Sequence, residues 1–390
     1  MSAPVTAGTS ADEATGAATG AALSPCTVTV CRDGAEFGAL AEEWQRLCRA
    51  SPTATPFQHH AWLYSWWRSY GTAGRLRLVL VRHEGRLVGA APLHRTGSMV
   101  LAPLGGGITD FCDVLLDEEC AGAAEALAAG LARLAGSAVV DFREVRPGAA
   151  LERVREVWRG PSRVLPDSVC LELPAVPMER LVERLPSSRA QRTRAKLRKL
   201  DAAGVVHRDV GAAEVPQALD RLLELHRRQW QGRGVTAEHL SARFADHLRR
   251  AVAPMVAGGD ARVTEFSLDG RVVAADLTLV SPRLSGGYLY GADPVLRSMK
   301  LDVATMLLRH GAREAGAGGS ATLSMLRGTE PYKDHWCPET VGNRRILLAG
   351  RRTAPLLALL VARARGRAWA ADTARDWAWV RGLRGGGRTG

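Results

Sequence analysis

No two cysteines in this sequence stand at CxxC spacing. The seven that occur, at positions 26, 31, 48, 112, 120, 170 and 337, are scattered. That argues against a disulfide scaffold and a structural zinc site, and points to a reducing, cytoplasmic compartment. The first 22 residues hold neither a basic segment nor an apolar run, so no secretory signal is expected. Their Ala, Gly, Ser and Thr read as a disordered tail. No apolar run has transmembrane length; the best, 353–362, is short and bracketed by Arg352 and Arg363. What is present is a core-forming composition: 390 residues, 46% hydrophobic and 24% charged, enough for two domains. The net charge is +12, mostly from arginine. It reflects either compositional bias or an anionic partner such as a CoA pyrophosphate, a nucleotide sugar, RNA or an acidic lipid surface.

The hydrophobic pattern repeats. Residues 27–30 read as a strand, 37–48 as a helix and 61–70 as a tryptophan-bearing helix. A hairpin over 76–93 turns at Glu84-Gly85-Arg86. A strand over 99–104, a triple glycine, a helix over 121–135 and a strand over 139–142 complete the half. The second half begins with a helix over 217–230 carrying Trp230. A hairpin over 261–280 turns at Asp269-Gly270-Arg271, followed by a strand over 285–290, a long helix over 296–315 and a strand over 321–326. Because turns and element order match, the chain reads as an internal duplication of one α/β module. A basic helix from Ser187 or Ser188 to about residue 201 lies between the halves, with Arg189, Arg192, Lys196 and Lys199 on one face. Two helical stretches, 354–368 and 370–381, form a basic tail.

Further detail lies in the second half. After Gln229-Trp230 and Arg233-Gly234 come the hairpin, then Gly287-Tyr288-Leu289-Tyr290-Gly291-Ala292-Asp293-Pro294, the long helix, and Leu326-Arg327-Gly328-Thr329-Glu330-Pro331-Tyr332-Lys333-Asp334-His335-Trp336. With Phe57, Trp62, Trp66 and the strand 89–93, this resembles the CelD/BioF2-like branch of the GNAT acyltransferases, relatives of the FemX aminoacyltransferases, over about residues 27–345. The resemblance implies an α/β (α+β) fold of two tandem GNAT-like domains, each a mixed central sheet flanked by helices. The expected division is a tail over 1–25, a first domain over 26–180, a catalytic second domain over 181–345 and a basic tail over 346–390. It further implies a cytoplasmic N-acyltransferase moving an acyl group from acyl-CoA, such as acetyl-CoA, to an amine of a small molecule or sugar in a ternary complex. In FemX relatives the donor is an aminoacyl-tRNA. A non-catalytic GNAT-like binding protein in polysaccharide or envelope assembly is the rival from another class.

Acyl transfer needs a proton acceptor for the amine, donors for the oxyanion and a seat for the donor's anionic end. In GNAT enzymes the thioester lies in a splay between two central strands and the diphosphate meets the turn into the next helix. That turn is expected at 292–301, where Arg297, Ser298 and Lys300, with Tyr290, would bind the cofactor; Met299-Lys300 replaces the family's Pro-Gly pair. The resemblance assigns chemistry to Lys333 and Tyr332. His335 serves either as a base or as packing. Asp276 is a carboxylate in a hairpin strand whose counterpart in the first half is Ala91, which makes it a candidate base. Trp230, Arg233, Glu265, Arg327, Glu330 and Asp110 are the candidate acceptor contacts. No metal or DNA is expected. tRNA contact at the basic helix and membrane contact at the tail are weaker expectations, and the chain is expected to be a monomer or homodimer.

Overall fold

Both hairpins form, and they turn the same way. Glu84 and Gly85 have φ of 50° and 78°; Asp269 and Gly270 have 50° and 75°. A two-residue turn with both positions left-handed matches the twist of paired strands. The computed structural model describes residues 25–231 and 237–385, the stretch 371–385 by its backbone alone.

The first half runs β1 (Thr27–Cys31), α1 (Gly34–Ala39), α2 (Ala41–Ala50), α3 (His60–Tyr70), β2 (Leu76–His83), β3 (Arg86–Arg95), β4 (Val100–Pro103), β5 (Leu115–Leu116), α4 (Ala123–Ala135), β6 (Val139–Val145), α5 (Ala150–Glu156) and β7 (Ser162–Pro174). The second runs α6 (Met178–Glu183), α7 (Ser187–Ala202), β8 (Val206–Asp209), α8 (Val215–Trp230), α9 (Ala242–Gly258), β9 (Ala261–Leu268), β10 (Arg271–Val280), β11 (Leu284–Ala292), α10 (Pro294–Ser298), α11 (Val303–Ala317), β12 (Thr322–Arg327), α12 (Pro331–Asp334), β13 (Glu339–Leu348) and α13 (Ala354–Gly385).

All strands join one mixed sheet, ordered β1-β2-β3-β4-β6-β13-β7-β12-β11-β10-β9-β8, with β5 on β3. The order exposes a reciprocal exchange. β7 ends the first half in sequence but pairs antiparallel with β12 of the second. β13 is the last strand of the second half but pairs antiparallel with β6 of the first. The two exchanged strands pair with each other at the centre. Each half also holds one parallel pair, β4 with β6 and β11 with β12.

The largest core cluster straddles the halves, joining Trp44, Phe57 and Trp62 to Phe244, Leu248 and Leu277. Within it α3 packs on α9: the Ser65 hydroxyl donates to the His247 carbonyl at 2.8 Å, and the Trp62 and His247 rings meet edge-on at 4.5 Å.

The long helix expected over 296–315 is two helices. α10 ends at Ser298, Lys300 takes a left-handed φ of 55°, and Asp302 caps α11. Conversely, the two helical stretches of the tail form one helix, α13. The expected disordered tail lies, but for residue 25, outside the described residues.

Gly291 fixes how closely α8 approaches the sheet. A Cβ there would sit 2.3 Å from the His226 nitrogen and 2.6 Å from the Leu222 carbonyl oxygen, both backbone atoms that cannot step aside alone. Gly291→Ala is expected to cost about 1–3 kcal/mol, seen as a lower denaturant midpoint with unchanged slope.

Candidate active site

The parallel pairing of β11 with β12 lasts three residues: Leu284 with Thr322, Ser285 with Leu323, Gly286 with Ser324. Beyond it the strands part. Leu326 takes a φ of 57°, its N–H is held by the Ser324 hydroxyl at 3.1 Å, and β12 resumes pairing with β7 only at Arg327. β11 carries a bulge opposite Leu277 and Thr278. Both devices re-aim a strand, and bulges concentrate beside active sites. The strands part around a cleft.

That cleft has an empty volume of about 690 Å³, open at its mouth, between α11 and the parted strands. Asp276 and Thr278 project into it from β10, Tyr290 from β11 and Tyr332 from α12. Asp276 is buried, 6% exposed, and has no cationic partner among the described residues. The Thr278 hydroxyl donates to its Oδ2 at 2.6 Å. The other oxygen, Oδ1, lies 3.5 Å from where a Cβ of Gly287 would be, so the glycine keeps its approach open. Burial pushes the Asp276 carboxyl up to about 6, against the Thr278 hydrogen bond that lowers it. A carboxylate poised near neutrality, with one oxygen free toward a cleft, is suited to accept a proton from an amine. Burial also raises the phenols of Tyr290 and Tyr332, keeping both protonated and able to donate.

A second cavity, about 830 Å³ of empty volume, shares Tyr290 and Ala304 with the first. It holds the turn expected to seat a diphosphate. Arg297 lines it. The Ser298 hydroxyl is spent on the Val295 carbonyl at 2.7 Å, and Lys300 is exposed on the left-handed link. The first turn of α11 already carries an anion: the Asp302 carboxylate accepts from Thr305 N at 2.8 Å and pairs with Lys196 of α7 at 2.7 Å. Asp293 occupies the start of α10 in the same way, accepting from Val295 N and paired with Arg271 at 2.5 Å.

The remaining candidates lie outside the cleft lining. The Lys333 amine is buried and donates to the carbonyls of Arg327 (2.9 Å) and Gly328 (3.4 Å) while pairing with Glu330 at 2.8 Å. It closes the 327–330 loop, where Gly328 takes a φ of 107°. Lys333→Met is therefore expected to cost about 1–3 kcal/mol by stranding these acceptors, seen as a lower melting temperature. Arg327 reaches the other way, pairing with Asp110 at 3.1 Å and Glu144 at 2.9 Å in the first half. The Asn343 amide of β13 donates to the Asp110 carbonyl and to Glu144, completing a polar junction between the halves. The Glu265 carboxylate is clamped by Arg208 at 2.8 Å and Arg221 at 2.5 Å. The His335 ring meets the Thr193 hydroxyl of α7 at 2.9 Å; burial, then Lys196 and Arg189, lowers its pKa. Trp230 ends α8 with a buried indole N–H that has no partner among the described residues. Arg233 lies outside the described residues.

Sequence reasoning missed Thr278, Gly287, Ser324 and the α11 stripe as cleft residues. Thr278 stands two positions after Asp276 and so on the same face of its strand, a readable signal. The others depend on where two strands part, which has no local sequence mark.

Among the described residues no group of His, Cys, Asp and Glu is arranged to hold a metal, and no helix is long and apolar enough to cross a membrane.

Residues 187–334 match the family model described as the acetyltransferase (GNAT) domain. No curated protein matches the chain significantly. Among solved structures the chain is similar to FemX, at 12% identity over 81% of this chain and 98% of that one, with a TM-score of 0.57. The C-terminal domain of a putative lysylphosphatidylglycerol synthetase from Agrobacterium fabrum is similar at 14% identity over 84% and 95%, TM-score 0.53. L-PGS from Bacillus licheniformis is similar at 12% over 84% and 96%, TM-score 0.52.

Proposed function

We propose that this enzyme transfers an aminoacyl group from an aminoacyl-tRNA to an amine at the β11–β12 cleft, a reading supported by the match of residues 187–334 to the acetyltransferase (GNAT) domain model and by the likeness of the fold to FemX. The amine nitrogen attacks the acyl carbonyl held at the parted strand edges. A C–N bond forms, the ester C–O bond breaks, Asp276 takes the amine proton, and Tyr332 supplies a proton to the departing ribose oxygen. The acceptor is the amine of a small molecule or sugar, and the second half, residues 181–345, is the catalytic domain.

The observation that carries the choice of donor is the Asp302 carboxylate in the first turn of α11. Helix N-termini attract phosphate because their N–H groups are unsatisfied. Here a carboxylate already takes that place and repels a second anion, which disfavours a CoA diphosphate. The cationic surface lies instead on α7, tied to the cleft's rim through the Lys196–Asp302 pair and the Thr193–His335 contact. Arg192, Arg194, Arg198 and Lys199 are exposed there, and none has an ion-pair partner among the described residues. Such an exposed cationic surface suits an RNA backbone.

The test is transfer of labelled amino acid from charged tRNA to a panel of amines, run beside acetyl-CoA and longer acyl-CoAs. Label is expected to move from the tRNA, and ribonuclease treatment of the donor is expected to abolish transfer. Consumption of an acyl-CoA with no transfer from tRNA would overturn the choice of donor.

A further inference from the structure

The cleft continues past the groups that do chemistry. Ala304, Leu307, Leu308 and Gly311 stand at i, i+3, i+4 and i+7, one stripe of α11, and all four line it. Leu323 and Met325 of β12 form the opposite wall. At the far end Gly311 stands against Leu323, where a Cβ would lie 3.7 Å from Cδ1, so the glycine leaves room rather than relieving a clash. Asp276 is the one charged side chain in this lining. From Ala304 to Gly311 the stripe runs about 10 Å, the reach of an extended chain of about eight carbons.

We propose that the cleft selects a linear apolar chain laid along α11, with the reacting group at Asp276 and the chain's end at Gly311. The inference rests on the cleft assignment made above and names the class of substrate it takes. The chain belongs to the acceptor amine, since an aminoacyl group carries no such tail. Its chemistry is an unbranched apolar tail ending in the amine that reacts. A glycine inside a helix lowers helix stability by about 1 kcal/mol relative to alanine, so Gly311 is there against propensity, and the space it leaves is its evident use.

Calorimetric titration with two series tests this: n-alkylamines from butylamine to dodecylamine, and primary fatty amides of the same lengths. The amines imitate the acceptor; the amides imitate the acyl group. In the amine series affinity is expected to rise about threefold to fourfold per methylene and level off near eight carbons. Gly311→Leu is expected to end the rise three or four carbons earlier, weakening the eight-carbon ligand about 10²-fold or more by the same increment. Gly311→Ala, which fits beside Leu323 with little disturbance, is expected to shift the plateau by about one carbon. A rise in the amines supports the inference; a rise in the amides alone would place a fatty acyl group there and overturn both the inference and the aminoacyl donor. If neither series depends on length, or Gly311→Ala and Gly311→Leu leave the plateau unmoved, the inference fails. Failure here with transfer intact leaves the catalytic reading standing; a length-dependent site in a protein that transfers from no donor overturns that reading alone.

Discussion

Asp276→Asn is expected to lower turnover by about 10²- to 10⁴-fold, the range for loss of a positioned general base, while raising the protein's stability. The two effects have one origin. The carboxyl is buried, has only the Thr278 hydroxyl as a partner, and is raised from 3.8 to about 6. The folded protein therefore binds this proton more tightly than the unfolded chain does. Stability contributed by the group is full below about pH 4 and falls as pH rises toward 6; above 6 the whole penalty is in place. For a shift of that size the penalty is about 3 kcal/mol. Asparagine keeps the shape and accepts the same Thr278 hydrogen bond without the charge, so the melting temperature at pH 7 should rise. The wild-type pH profile follows from the same shift: kcat/KM should fall about tenfold per pH unit below about 6, as Asp276 is protonated. A variant with wild-type turnover, or a profile flat through pH 5, would remove Asp276 from the mechanism. The joint readout separates catalysis from packing, because a residue needed only for packing would lose stability when replaced.

Arg327→Ala is expected to destabilise the protein by about 3 kcal/mol, the lower end of the cost of breaking a buried ion pair since the arginine is partly exposed. Arg327 connects the end of β12 to Asp110 and Glu144 of the first half, which are 13% and 10% exposed at their side chains. Without the guanidinium two carboxylates remain close together in a buried site, and burial already raises the Asp110 carboxyl. Chemical denaturation reads the loss. The penalty should shrink as pH is lowered and the Asp110 carboxyl, already raised by burial, protonates, which distinguishes lost charge pairing from lost packing. Unchanged stability at pH 7 would show that this junction does not hold the halves together.

How much of this was legible beforehand differs by scale. The hairpins were, because Glu-Gly-Arg and Asp-Gly-Arg demand left-handed turns and apolar alternation demands strands. So was Asp276, because a lone carboxylate in a strand whose counterpart is Ala91 is costly without a purpose. β7 and β13 were not legible. Their sequences are rich in polar residues, such as Glu172, Asn343 and Arg345, and alternate poorly. They become strands because neighbours supply both backbone pairing and counter-charges: Arg146 for Glu172 and Asp141 for Arg345.

The sequence by itself determined a duplicated α/β chain, its two hairpins and one lone strand carboxylate. Tertiary structure alone decided which halves exchange strands, where β11 and β12 part, and that Lys333 and Arg327 hold the loop and the junction while Tyr332, next to Lys333 in sequence, faces the cleft. The reason is range. Turn chemistry, capping and periodicity act over a few neighbouring residues and are written locally. A cleft between parted strands, and the burial that tunes its carboxylate, arise from segments tens to hundreds of residues apart, whose meeting no local pattern encodes.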